Sequence, residues 1–172
     1  MNDWINQQAT LLRALQGCDI RQWIGIEMAV REVGLDGMPQ WYDNSIQALQ
    51  LDRLDLVLSN GQVPSIVTYQ NDTHWGLWRR DNLPPSELPS SASDSIYRER
   101  TSNELPLGVV LSVEVLFNEN GDGDISEVQL NINGLTVSLK AAEVHEQVDG
   151  LLKIIIDDES ILVQVDGEGS NK

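Results

Sequence analysis

Alternation is the strongest limit on what this chain can become. Val109, Leu111, Val113, Val115 and Phe117 fall at every second position, with Val110, Ser112, Glu114 and Leu116 between them. Side chains on a β-strand point to opposite faces with a period of two, so the stretch reads as a strand with one apolar face. Leu54, Leu56 and Leu58 repeat the pattern. Asn60-Gly61 and Asn133-Gly134 each stand between two apolar runs, the strongest short-range signature of a hairpin. Such a chain builds antiparallel strands joined by short turns.

The spacing predicts one helix, over 3–16. Asp3 is placed to cap it, Trp4, Gln8, Leu11, Leu12 and Leu15 recur at helical intervals, and Gly17 is placed to stop it. A strand is expected over 20–30, then a loop over 34–39. The runs at 54–58 and 63–69 form a predicted hairpin, with Pro64 either on an edge or just ahead of the strand. A turn at 70–73 leads into a third strand at 74–78. Further on, strands are expected over 109–117, 125–132 and 135–139. A connection follows over 141–147, and a last hairpin joins 151–156 to 161–165 through Asp157-Asp158-Glu159-Ser160.

The expected class is α+β: mainly antiparallel β-meanders with an N-terminal helix. Residues 1–80 are read as the helix and a first meander. Residues 81–106, with Pro84, Pro85, Pro89, Pro106 and a run of serines, are read as a linker or loop. Residues 107–166 form the second meander, and 167–172 a frayed tail. In each half a glycine is followed three residues on by an apolar residue (Gly17 and Ile20, Gly108 and Leu111), then a strand, then an Asn-Gly turn. The parallel suggests two similar halves.

The 172 residues carry 27 acids against 11 lysines and arginines, a net charge of −16. Residues 107–172 hold 13 of the acids and three of the bases. This balance repels nucleic-acid phosphates and anionic membranes and favours a basic partner. The single cysteine, Cys18, forms no internal disulfide and reads as a buried thiol in a reducing compartment. Met1-Asn2-Asp3-Trp4 is neither basic nor apolar, which predicts no signal peptide and a cytoplasmic location.

Asn118, Asn120, Asp122 and Asp124 set oxygen donors at alternate positions around Gly121 and Gly123, as a calcium loop does. The twelfth position is Gln129 where a bidentate Glu is needed, and the flanks read as strands, so a hairpin turn is the preferred reading. Neither His74 nor His145 has a Cys or His at metal-ligand spacing, which argues against zinc. No nucleophile elbow, P-loop or dinucleotide fingerprint occurs, so neither catalytic residues nor a cofactor are expected. Paired carboxylates such as Asp52 with Asp55 read as solvated surface. Trp75 and Trp78 are three apart, which on a regular strand turns them to opposite faces. One then belongs to the core and the other is a candidate interface anchor. The candidate partner-binding residues are Asp157, Asp158, Glu159, Glu143, Glu146, Trp75 and Trp78.

In size, acidity, leaderless start and lack of active-site motifs, the chain resembles bacterial immunity proteins, the cytoplasmic antidotes to polymorphic or contact-dependent toxins. The resemblance implies tight binding to a cognate toxin domain with a basic surface, and occlusion of that toxin's active site. Two other classes compete. One is a small enzyme using His74 and nearby carboxylates. The other is a regulatory module that binds a ligand between the β-halves.

Overall fold

Asn2, not Asp3, starts the helix: its side chain accepts from the Trp4 amide at 2.9 Å. The computed structural model describes residues 2–86, 95–119 and 123–167. Helix α1 (Asp3–Arg13) buries Ile5, Gln8, Ala9 and Leu12. Leu11 is exposed and Trp4 only half-buried, so the buried stripe is rotated from the predicted one. Gly17 ends the segment at φ +85°, the left-handed conformation a glycine adopts without cost.

Nine strands follow: β1 (Asp19–Met28), β2 (Leu49–Leu58), β3 (Ser65–Asn71), β4 (His74–Arg80), β5 (Tyr97–Thr101), β6 (Gly108–Phe117), β7 (Ile125–Ile132), β8 (Leu135–Glu146) and β9 (Leu152–Gly167). Every strand pairing is antiparallel, as the alternation and turn residues predict. The order is β4-β3-β2-β9-β8-β7-β6-β1-β5, and β1 also pairs with β2. Six strands (β1, β2, β9, β8, β7 and β6) therefore close into a barrel. The β3–β4 hairpin extends from β2, and β5 lies along β1.

All six barrel strands and α1 send side chains into one core, with Trp23, Leu54, Leu130, Leu139 and Ile161 among those fully buried. The interior is packed with side chains, each fully buried Leu or Ile contributing about 1.5–3 kcal/mol. The Trp23 indole donates to the Pro106 carbonyl at 2.8 Å, so its one polar atom is satisfied. A smaller cluster of Val30, Ile46, Ala142, Val144 and Leu162 lies beyond the main core.

Each half runs as a meander of four strands in chain order, β1 to β4 and β6 to β9. The halves are joined differently. Strand β9 is hydrogen-bonded to β2, whereas its counterpart β4 is a sheet edge.

Several sequence expectations need correcting. The alternation over 109–117 is broken by a register shift between Val110 and Ser112, so Val110 is buried while Val109 and Leu111 are exposed. The predicted linker contains a strand, because the 97–101 backbone finds its ladder partners on β1. Residues 141–147 are mostly strand rather than a connection, because β8 and β9 pair along nearly their whole length. The 157–160 turn is a bulge inside β9. Ala142 pairs with Ile156 and Ala141 with Ile161, so four residues stand out of the ladder. The serine-rich 87–94 run and most of the 167–172 tail lie outside the described residues. No helix among the described residues is long and apolar enough to cross a membrane.

Candidate functional site

The bulge in β9 gathers polar side chains that are far apart in sequence. Asp157 holds φ +63°, an uncommon conformation for a non-glycine residue. Its Oδ2 lies 2.5 Å from His74 Nδ1, and its Oδ1 accepts the Trp75 amide. The Thr68 hydroxyl donates to the Glu159 carbonyl. These bonds tie the β3–β4 hairpin to the bulge. The Asp157 carboxylate, then Asp124 and Asp72, push the His74 imidazole above its ordinary value.

Asp158 turns to β8 instead. Its Oδ2 lies 2.8 Å from His145 Nε2. Its Oδ1 accepts the Glu159 amide at 2.8 Å. Glu143, two residues before His145 on β8, is buried, and its Oε2 accepts the Ser160 hydroxyl at 2.9 Å. Burial pushes the Glu143 carboxyl up, and Asp158 and Glu159 push it further. Glu143, His145 and Asp158 each offer a ligand atom, all within 4.8 Å of one another.

Behind the hairpin sits a second polar group. Asp124 is fully buried, and its Oδ1 accepts from the Tyr69 phenol at 2.7 Å and the Asn71 amide at 3.1 Å. Burial and then the Asp124 carboxylate push the phenol well above its ordinary value. The Tyr69 ring crosses Gly76, where a Cβ would lie 2.6 Å from its atoms. It packs edge-on to Trp4 at 4.7 Å and to Trp78 at 6.5 Å.

A third feature is an acidic face. The Tyr97 phenol is pushed up first by burial, then by Asp52, Glu159, Glu143 and Glu32. These four acids therefore act electrostatically on one half-buried tyrosine on an edge strand. Loss of surrounding water also pushes the Asp52 carboxyl up. No lysine or arginine forms an ion pair with any of the four among the described residues. The arginines are engaged elsewhere. Arg98 and Arg100 converge on buried Glu27 at 2.7 and 2.6 Å, Arg53 grips Asp55, and Arg31 reaches Glu146 at 2.6 Å.

The structure thus redistributes the predicted site residues. Asp157 and Asp158 are bonded within the fold rather than free in water, because the bulge aims them at two histidines. Glu146 is paired with Arg31. Glu159 and Glu143 remain on the acidic face. Trp75 and Trp78 are both half-buried, so neither stands out as an anchor: Trp75 packs against the main core, and Trp78 lies 5.4 Å from Trp4 with Arg80 over its ring. Of the calcium candidates, Asp124 is turned into the protein, and Asn120 and Asp122 lie outside the described residues. His145 does have partners that suit a metal, but they are carboxylates. The Glu143-x-His145 spacing on one strand face was the available signal, whereas Asp158 is supplied by a bulge that composition does not reveal. Glu32 and Tyr97 were also missed, since no motif marks them, and Asp52 was read as solvated surface.

Comparisons with protein-family models, curated proteins and solved structures find no match to this chain.

Proposed function

We propose that this protein is an immunity-type antitoxin that binds a basic protein domain through the face formed by Glu32, Asp52, Glu143 and Glu159 around Tyr97. The observation that supports the reading is the uncompensated charge of that face. Arg31, Arg53, Arg98 and Arg100 are each ion-paired with other acids, and no arginine or lysine forms an ion pair with these four among the described residues. The Asp52 and Glu143 carboxyls, held above their ordinary range, gain when a cation arrives, and a guanidinium or ammonium from a partner supplies it. Tyr97 provides the flat, amphipathic surface that interface centres favour. The filled barrel leaves the outer surface as the place for recognition.

The test is affinity capture from the cell that makes the protein, run with the native chain and a Glu32→Gln, Asp52→Asn, Glu159→Gln variant. Exposed charges each contribute about 0–1 kcal/mol to stability, so the variant should melt near the native temperature. A basic protein should be retained by the native chain, should associate at least about tenfold more slowly with the variant at low salt, and should be toxic unless the native chain is co-expressed. If both baits retain the same proteins at the same rate, the acidic face is not the interface.

A further inference from the structure

We propose that Glu143, His145 and Asp158 form a binding site for a divalent cation of the zinc class. Two donors stand on one strand, two residues apart, and the third comes from the bulge of the neighbouring strand, so the ladder between β8 and β9 holds the set together. One imidazole nitrogen and two carboxylate oxygens are a donor set zinc accepts. His145 Nε2 lies 2.8 Å from Asp158 Oδ2 and 4.0 Å from Glu143 Oε1. Ligands on a tetrahedral zinc are separated by about 3.3 Å, given bonds of about 2.0–2.1 Å. Entry of the ion therefore parts the first pair by about 0.5 Å and closes the second by about 0.7 Å, and the third pair, Glu143 with Asp158, starts within 4.8 Å.

Glu143 supplies a second observation that points to a ligand. The residue is 9% exposed. Ser160 donates to Oε2, but Oε1 has no hydrogen-bond donor among the described residues and faces His145. Ser160 thus holds one carboxylate oxygen, and the other, turned toward His145, is the one placed to take a cation. Ser160 then acts as the outer hydroxyl that orients a metal-binding carboxylate. Lys153 stands opposite His145 in the strand register and forms no ion pair with Glu143 or Asp158. Three protein ligands leave a fourth position for water, which the exposure of His145 admits. This site shares Glu143 with the protein-binding reading but rests on the geometry of its own three ligands, and it stands if that reading fails.

The full chain, stripped by a chelator, is titrated with Co²⁺, whose visible absorption reports its coordination, and then with Zn²⁺ in competition. One equivalent should bind. His145→Asn and, separately, Glu143→Gln should each weaken binding by at least about 100-fold. Tyr42→Phe, at an exposed tyrosine outside β8 and β9, should leave it unchanged. The exposed His145 side chain is replaced without disturbing the core, and far-ultraviolet circular dichroism verifies that each variant is folded. Absence of uptake by the native chain, or equal uptake by His145→Asn, overturns the site.

Discussion

Replacing Tyr69 with phenylalanine isolates the polar bond at the centre of the β3–β4 hairpin. The ring stays where it is, over Gly76 and against Trp4 and Trp78; only the hydroxyl is lost. That hydroxyl donates to Asp124 at 2.7 Å and accepts from the Ile125 amide. Asp124 is fully buried, with Asn71 as its other side-chain donor. A hydrogen bond to a charged group contributes about 1.5–3 kcal/mol, and a buried acceptor left short of a donor costs about 1–3 kcal/mol. Tyr69→Phe should therefore lower stability by about 3 kcal/mol, which for a chain of this size is a fall in melting temperature on the order of 10 °C. Urea unfolding gives the free energy and calorimetry the temperature. Tyr42→Phe, at an exposed tyrosine, should change neither. A cycle with Asp124→Ala should yield a coupling of about 2 kcal/mol, since the two groups act as one unit. A loss below about 1 kcal/mol for Tyr69→Phe, with no coupling, refutes the argument that this bond secures the hairpin.

Two further outcomes bear on the same hairpin. Gly76→Ala sets a Cβ 2.6 Å from the Tyr69 ring; the ring must move off Asp124, and urea unfolding should show a loss of about 3 kcal/mol or more, whereas unchanged stability means the ring is not pinned there. The His74 imidazole is held above its ordinary value by Asp157 first, with Asp124 and Asp72 adding to it. A raised folded value places the stabilisation fully below the unfolded value of 6.5 and removes it as pH rises through the folded value. The melting temperature of native protein over His74→Gln should thus be highest near about pH 5.5 and shrink toward about pH 8.5; a gap that is constant with pH excludes the ion pair as its source.

How much of this was legible in the sequence depends on the range of the interactions that decide each element. Alternation and turn chemistry are local, and they located most strands, but not β5 or the second half of β8. Pro64 lies one residue before β3, as a residue without an amide hydrogen requires. Asn133 and Gly134 both adopt positive φ, as the tightest hairpin turn demands. The bulges were not legible. Asp157-Asp158-Glu159-Ser160 has the composition of a turn, and it remains inside a strand because its partners, His74, Thr68 and His145, lie on other strands. The same reasoning explains the helix. Spacing pointed Leu11 inward, and the barrel buries Ile5 instead. The candidate sites suffered most, because a carboxylate's role depends on whether an arginine reaches it. That arginines engage Asp55, Glu27 and Glu146 while none forms an ion pair with Asp52 or Glu159 among the described residues is a property of the folded chain, not of any motif.

Glu143 belongs to both proposed sites, and this links them. Its carboxyl is pushed up by burial and by neighbouring negative charge, so its ionised form weighs against the fold at neutral pH. A divalent ion at Oε1 removes that cost, and so does a basic side chain docking beside Tyr97. Each relieves the same repulsion, so once one is bound the other gains less. The coupling is reciprocal by thermodynamic necessity: whatever factor the metal takes from the affinity for a basic partner, the partner takes from the affinity for the metal. The two readings are therefore not independent in energy although their tests are separate. The acidic face should be most attractive to a basic protein when Glu143, His145 and Asp158 hold no cation.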